Sequence, residues 1–341
     1  MYLALEQKIL GSLAGSAIGD AMGAATELLT EGEIIRRFGK SVDSFELPPK
    51  NNPYAGGRAA GQITDDSSLT FFLCNAYLQN HGLMTVELAA QTMLKWSESE
   101  YFPRFAGPAT KNAVERLRKG ENPLIVGRHG DISMGGTTNG AAMKISPAGL
   151  MHPGNLDASI EDAILICLPT HGTQIAMSGA CAVACAVSSA LCDAATVGSV
   201  LEAALYGAQR GETLGCERGR IAAGPSVIDR IKFAIQIVLG EDSSERACRK
   251  ISRLIGTGLP IAEAVPAALG IFLAEQGDPM SAIKRGVNLG DDTDTVGCIV
   301  GAISGAYAGI DRVSASLYHQ VDEINHLHLA DMAKALVVLM K

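Results

Sequence analysis

Two segments near opposite ends of the chain carry glycine at every fourth position. GSLAGSAIGDAMG places Gly11, Gly15, Gly19 and Gly23 at helical spacing, and GCIVGAISGAYAG does the same with Gly297, Gly301, Gly305 and Gly309. Each glycine inside a helix costs about 1 kcal/mol relative to alanine, so a stripe of four needs a compensating contact. The contact that glycine permits is another backbone lying close against a face without side chains. The expectation is two core helices that pack tightly, in the simplest arrangement against each other. That would join both ends of the chain in one domain over residues 1–341.

Helical periodicity also recurs over 65–80, 85–98, 109–119, 157–168, 195–210, 225–239, 244–255, 260–275 and 327–340, while alternating strand patterns are scarce. The chain therefore reads as all-α. Thr64 is placed to cap the first of these helices, and Thr30 and Glu33 stand at capping-box spacing before another. Gly, Pro and Asn concentrate in 39–62, 120–140 and 146–156, which read as long loops and so as places for function.

An apolar fraction of 47% is ample for a core, and 28 basic against 36 acidic residues leave a charge of −8. That balance weighs against a nucleic-acid or anionic-membrane partner. Eight scattered cysteines without a C-x-x-C pair point to buried, reduced thiols in a cytoplasmic protein. No basic segment leading into an apolar stretch opens the chain. The run GTQIAMSGACAVACAVSSALC is long enough to raise a membrane span. Built from Ala, Ser, Cys and Gly, it reads better as a buried central helix.

Acidic residues gather at helix ends. NLGDDTDTVG supplies Asp291, Asp292 and Asp294 before the second glycine stripe, ITDDSSLT supplies Asp65 and Asp66 beside Thr64, and GDAMGAATE supplies Asp20 and Glu27. A helix N-terminus stabilises a carboxylate by roughly 0.3–1 kcal/mol, which suits one or two capping acids and not several converging ones. Taken singly, each cluster reads as capping acids. Together they suit a hard cation, with oxygen ligands selecting Mg²⁺, Mn²⁺ or Ca²⁺ over Zn²⁺. An EF-hand is excluded, because Val296 and Ile303 fall where oxygen ligands are needed. A phosphate loop ending in Gly39–Ser41 fails because Ile34 occupies the first glycine position.

GSLAGSAIGDAMGAATE, TDDSSLT, TNGAAMKISPAGL, PTHGTQIAMSGA and GDDTDTVGCIVGAISGAYAG resemble, in order, the signature segments of the ADP-ribosylglycohydrolase family. The resemblance runs from Gly11 to Gly309. It implies a compact, single-domain bundle of many helices with a dinuclear metal cleft holding two Mg²⁺, for which Mn²⁺ is a possible substitute. The implied ligands are Thr64, Asp65, Asp66, Asp292, Asp294 and Thr295, with Glu27, Asp66 and Asp292 as the catalytic acids. Asp291 stands where the family often has a glycine, and is read as a helix N-cap.

Asn139, Met143 and His171 match the family's ADP-ribose-lining positions. Gly135, Gly136 and Thr137 precede them as backbone facing the phosphates, and His129 and Asp131 form a further polar pair. The implied activity is hydrolysis of the glycosidic bond between ADP-ribose and an acceptor, on a modified protein or a small adduct. The alternatives are an N-glycoside hydrolase for a nucleoside-like substrate and a non-catalytic, crystallin-like member. Retention of all six ligand positions weighs against the last. The acceptor stays open between arginine, serine and other groups.

Overall fold

The two glycine stripes do meet. In the computed structural model, which describes residues 2–128 and 135–340, α1 (Tyr2–Gly23) packs antiparallel against the helix Thr293–Ala308. A Cβ added to Gly11, Gly15 or Gly19 would lie on the backbone of Gly305, Gly301 or Gly297 respectively. Small polar side chains stitch the same seam: Ser12 Oγ donates to the Ala302 carbonyl at 2.8 Å, and Ser16 Oγ lies 3.1 Å from Cys298 Sγ.

Because the obstructing atoms are main chain on both sides, Gly15→Ala cannot be absorbed by a rotamer change. It is expected to cost about 3 kcal/mol or more, read as a fall in thermal midpoint. Gly32→Ala is the control, since a Cβ there meets nothing within 4 Å, and it should be neutral or slightly stabilising.

The all-α reading holds. Among the described residues there is no β-strand, only isolated bridges such as Thr30 with Gly290. The periodic segments appear as Asp65–Gln79 (labelled α3), Val86–Trp96, Pro108–Arg118, Leu156–Cys167, Val197–Arg218, Val227–Leu239, Ser244–Leu254, Ile261–Ala274 and Leu329–Leu339. The Thr30–Glu33 capping box is present at the start of α2 (Glu31–Phe38), which ends on left-handed Gly39. The segment 146–156 differs from expectation, because it contains the buried helix Ser146–Leu150. Pro147 lies in the first turn, where its missing N–H costs nothing, and Gly149 lets the Ala184 carbonyl approach.

The chain divides into two compact units. The first comprises Met1–Ser67, Asp229–Leu259 and Glu263–Lys334, and is built around the glycine-striped pair. The second comprises Ser68–Ile228, Pro260–Ala262 and Ala335–Lys341. Its core includes the fully buried Trp96, whose indole N–H donates to Ser68 Oγ at 3.1 Å. It also includes the helix Gln174–Ala190, formed by the apolar run, with buried free thiols at Cys181 and Cys185. Among the described residues no helix is long and apolar enough to cross a membrane.

Candidate metal and catalytic centre

The glycine stripe ends where the acids begin. A Cβ on Gly23 would strike the main chain of Asp294, so the last turn of α1 lies directly against the first turn of Thr293–Ala308. Thr293 Oγ1 donates to the Gly23 carbonyl at 3.0 Å, and Thr26 Oγ1 donates to the Val287 carbonyl at 2.6 Å. Asp292 is the N-cap of this helix, yet its side chain makes no capping hydrogen bond. Asp291 is thus not the cap. It sits one residue earlier in the left-handed region, with φ 67°, and Gly258 packs against its carboxylate. That backbone conformation favours Gly and tolerates Asp or Asn.

Asp20, which no ligand set includes, delivers the Thr64–Asp65–Asp66 segment. It is fully buried in α1 and accepts from the N–H groups of Thr64 and Ser67, both at 3.0 Å, from the Thr64 hydroxyl at 2.8 Å and from the Ser67 hydroxyl. These are N-capping bonds to α3 supplied by another helix. Thr64 Oγ1 also lies 3.4 Å from the Asp66 N–H, a weaker cap than the sequence suggested. The sequence signal for Asp20 is an acid on a helix face otherwise made of small residues, since a buried carboxylate requires donors.

The acids act on one another. Burial, followed by the charges of Asp65, Asp20 and Asp292, holds the Asp66 carboxyl well above the ordinary range, and a Thr295 hydrogen bond partly opposes this. Asp294 is raised in the same way by burial and then by Glu27, Asp66, Asp292 and Asp20. Glu27 is pushed up to about 9 by burial and then by Asp292, Asp65 and Asp20, with the Asn52 amide pulling it down. The charges that act most on these groups are all negative.

Glu27 Oε2 is buried and has no hydrogen-bond partner among the described residues. Among those residues no three His, Cys, Asp or Glu side chains stand as a ready coordination shell. What fits a divalent cation here is the donor chemistry, carboxylates with threonine hydroxyls, together with the unbalanced negative charge.

Folded Glu27 keeps its proton up to about 9, whereas its ordinary value is 4.5. Its contribution to stability is full below about 4.5 and is lost as pH rises through about 9. Asp66 and Asp294 act in the same direction. The thermal midpoint in EDTA should therefore fall between pH 5 and 9, and Mg²⁺ should raise the midpoint and flatten the slope. A flat profile in EDTA would mean that the acids are solvated.

The connector carrying Glu27 is tied down rather than loose. The Glu27 N–H donates to the Gly23 carbonyl at 2.9 Å and its own carbonyl accepts from Asn52 Nδ2 at 3.2 Å. Leu28, at φ 63°, donates to the Asp291 carbonyl at 2.8 Å, while the Asp291 N–H donates to the Leu29 carbonyl at 3.1 Å. This short antiparallel pairing couples the Glu27 turn to the loop bearing Asp291 and Asp292.

In the second unit the carbonyls from Gly135 onward are anchored one by one. The Gly135 carbonyl accepts from Arg220, the Gly136 carbonyl from Thr173 Oγ1 at 2.6 Å, and the Thr137 carbonyl from the Ile261 N–H at 3.1 Å. In a planar trans peptide the next N–H points opposite to the carbonyl. The N–H groups of Gly136 and Thr138 therefore each point away from the anchor of their own peptide. Asn139 is buried and its carbonyl accepts from the Ala142 N–H at 2.7 Å. Met143 belongs to the buried cluster that contains Trp96. His171 is buried between the hydroxyls of Thr138 and Thr170. His129 and Asp131 lie outside the described residues.

The family model for ADP-ribosylglycohydrolase matches residues 1–341. The uncharacterised protein YegU of Escherichia coli is 32% identical over 336 residues, covering 97% of this chain and 96% of that protein. ADP-ribosylhydrolase ARH3 of Xenopus tropicalis is 26% identical over 332 residues, covering 92% and 90%. A solved chain titled as an ADP-ribosylglycohydrolase-related protein complex superposes with a TM-score of 0.72 at 23% identity. It covers 99% of this chain and 100% of that one, a likeness of fold.

Proposed function

This chain belongs to the ADP-ribosylglycohydrolase family of glycosidic hydrolases, and from that premise we propose that it cleaves ADP-ribose from an acceptor in a Mg²⁺-dependent reaction. The observation that carries the reading is the meeting of Asp66, Asp292, Asp294 and Glu27 at the end of the glycine seam, with a carboxylate oxygen of Glu27 buried and unpartnered among the described residues. Thr64, Asp65, Asp66, Asp292, Asp294 and Thr295 would hold two Mg²⁺. Such ions, when bound, supply charge neutralisation and Lewis acidity.

Cleavage at the anomeric carbon of the distal ribose builds positive charge on that ring and leaves the acceptor needing a proton. A carboxyl that stays protonated at neutral pH can give it, and Glu27 has the burial and neighbours to do so. The carboxylates around it favour positive charge on the sugar. Backbone donors at Gly136 and Thr138 suit a diphosphate.

The test is a release assay across ADP-ribosyl-arginine, ADP-ribosyl-serine, O-acetyl-ADP-ribose and nucleosides, with Mg²⁺ and with EDTA. Release from one of the ADP-ribosyl substrates, lost in EDTA, is expected. Turnover of nucleosides alone would favour an N-glycoside hydrolase. No turnover with no ADP-ribose binding would overturn the reading.

A further inference from the structure

Lys144 has no exposed surface. Its ammonium donates to Thr170 Oγ1 at 3.3 Å, and Thr170 Oγ1 lies 2.9 Å from His171 Nδ1. Across the ring, His171 Nε2 lies 2.9 Å from Thr138 Oγ1. These four side chains form one chain of hydrogen bonds within the second unit, and its direction can be worked out from its buried end.

An ammonium only donates, and a hydroxyl has one proton. Thr170 accepts from Lys144, so its own proton is available to His171 Nδ1. A proton on Nδ1 instead would leave the buried Thr170 hydroxyl hydrogen without an acceptor among the described residues, which is costly. Burial and then the Lys144 charge hold the imidazole pKa well below its ordinary value, so the ring is neutral and carries a single proton. That proton sits on Nε2 and goes to Thr138 Oγ1. The hydroxyl hydrogen of Thr138 is then turned away from the ring. Thr138 is only partly buried and follows the segment whose carbonyls are anchored by Arg220, Thr173 and Ile261.

We propose that Thr138 is a substrate-binding donor aimed at an oxygen that only accepts, a phosphate oxygen of the ADP-ribosyl group. Lys144, acting through Thr170 and His171, is the positioning residue that sets its direction. This deepens the proposed function and rests on it. A phosphate oxygen suits such a donor better than a ribose hydroxyl, which has a proton of its own to place. Gly140 belongs to the same device, because a Cβ there would lie 3.1 Å from His171 Nε2 and press on the ring.

Nitrogen-15 NMR of the wild-type chain should show His171 as the neutral tautomer protonated on Nε2. Calorimetry should show Thr138→Val binding ADP-ribose about tenfold more weakly, with adenosine binding unchanged. Lys144→Met should mix the tautomers and weaken ADP-ribose binding, and should cost nothing further when added to Thr138→Val. A wild-type ring protonated on Nδ1 would overturn the proposal, whether or not Lys144→Met folds. So would unchanged ADP-ribose affinity in Thr138→Val, or an equal loss for adenosine. In those cases a wild type that still binds ADP-ribose leaves the proposed function standing, whereas a wild type that does not bind it overturns both.

Discussion

Asp292→Ala is expected to lower kcat by about 10³-fold or more, since a misplaced metal loses both substrate orientation and water activation. The fold should survive. Asp292 makes no side-chain capping bond to its helix, and its charge comes directly after burial among the causes that raise Glu27. Removing it relieves repulsion, so the thermal midpoint in EDTA should hold or rise, and the rise on adding Mg²⁺ should shrink. Asp66→Ala should cost as much in activity, because Asp66 lies buried at the start of α3 in the same set of acids. The control is Asp291→Asn. It keeps the left-handed backbone, where Asn is well tolerated, and removes a carboxylate packed against Gly258. It should retain most activity. Steady-state kinetics with a Mg²⁺ titration decides the matter, and equal damage from Asp291→Asn would shift the ligand assignment by one residue.

Glu27→Gln is expected to lose roughly 10²–10⁴ in kcat, with Mg²⁺ and ADP-ribose affinities near wild type. The amide keeps the size of the side chain and gives up the exchangeable proton. Burial is the largest cause of the raised Glu27 value, ahead of the charges of Asp292, Asp65 and Asp20. Acting as an acid, Glu27 should give wild-type kcat a falling limb at alkaline pH, absent from the variant. Single-turnover kinetics beside product-binding calorimetry separates the effects. Unchanged kcat would move proton transfer to an acid of the metal cluster.

Both acid motifs were legible because they are local. Asp65 and Asp66 are adjacent, as are Asp291 and Asp292, and helix periodicity puts each pair at a helix start. Asp20 was visible as an acid and invisible as a cap, because its partners Thr64 and Ser67 are 44 and 47 residues away. Asn52 was lost in a loop, since its bond to the Glu27 carbonyl spans 25 residues. Met143 was placed with the substrate by its motif. In the fold its side chain belongs to the buried cluster that contains Trp96.

The sequence by itself determined the helices, the pairing of the two glycine stripes and the hard-oxygen character of the acidic segments. These follow from spacing and side-chain chemistry, which are properties of short stretches. Tertiary structure decided which carboxylates share one buried volume and which instead cap or pack. It also decided that Lys144, Thr170, His171 and Thr138 form one chain of hydrogen bonds and that the carbonyls of Gly135, Gly136 and Thr137 are anchored. The reason is physical. Desolvation, charge repulsion and hydrogen-bond direction depend on distances between groups that the chain brings together only when folded.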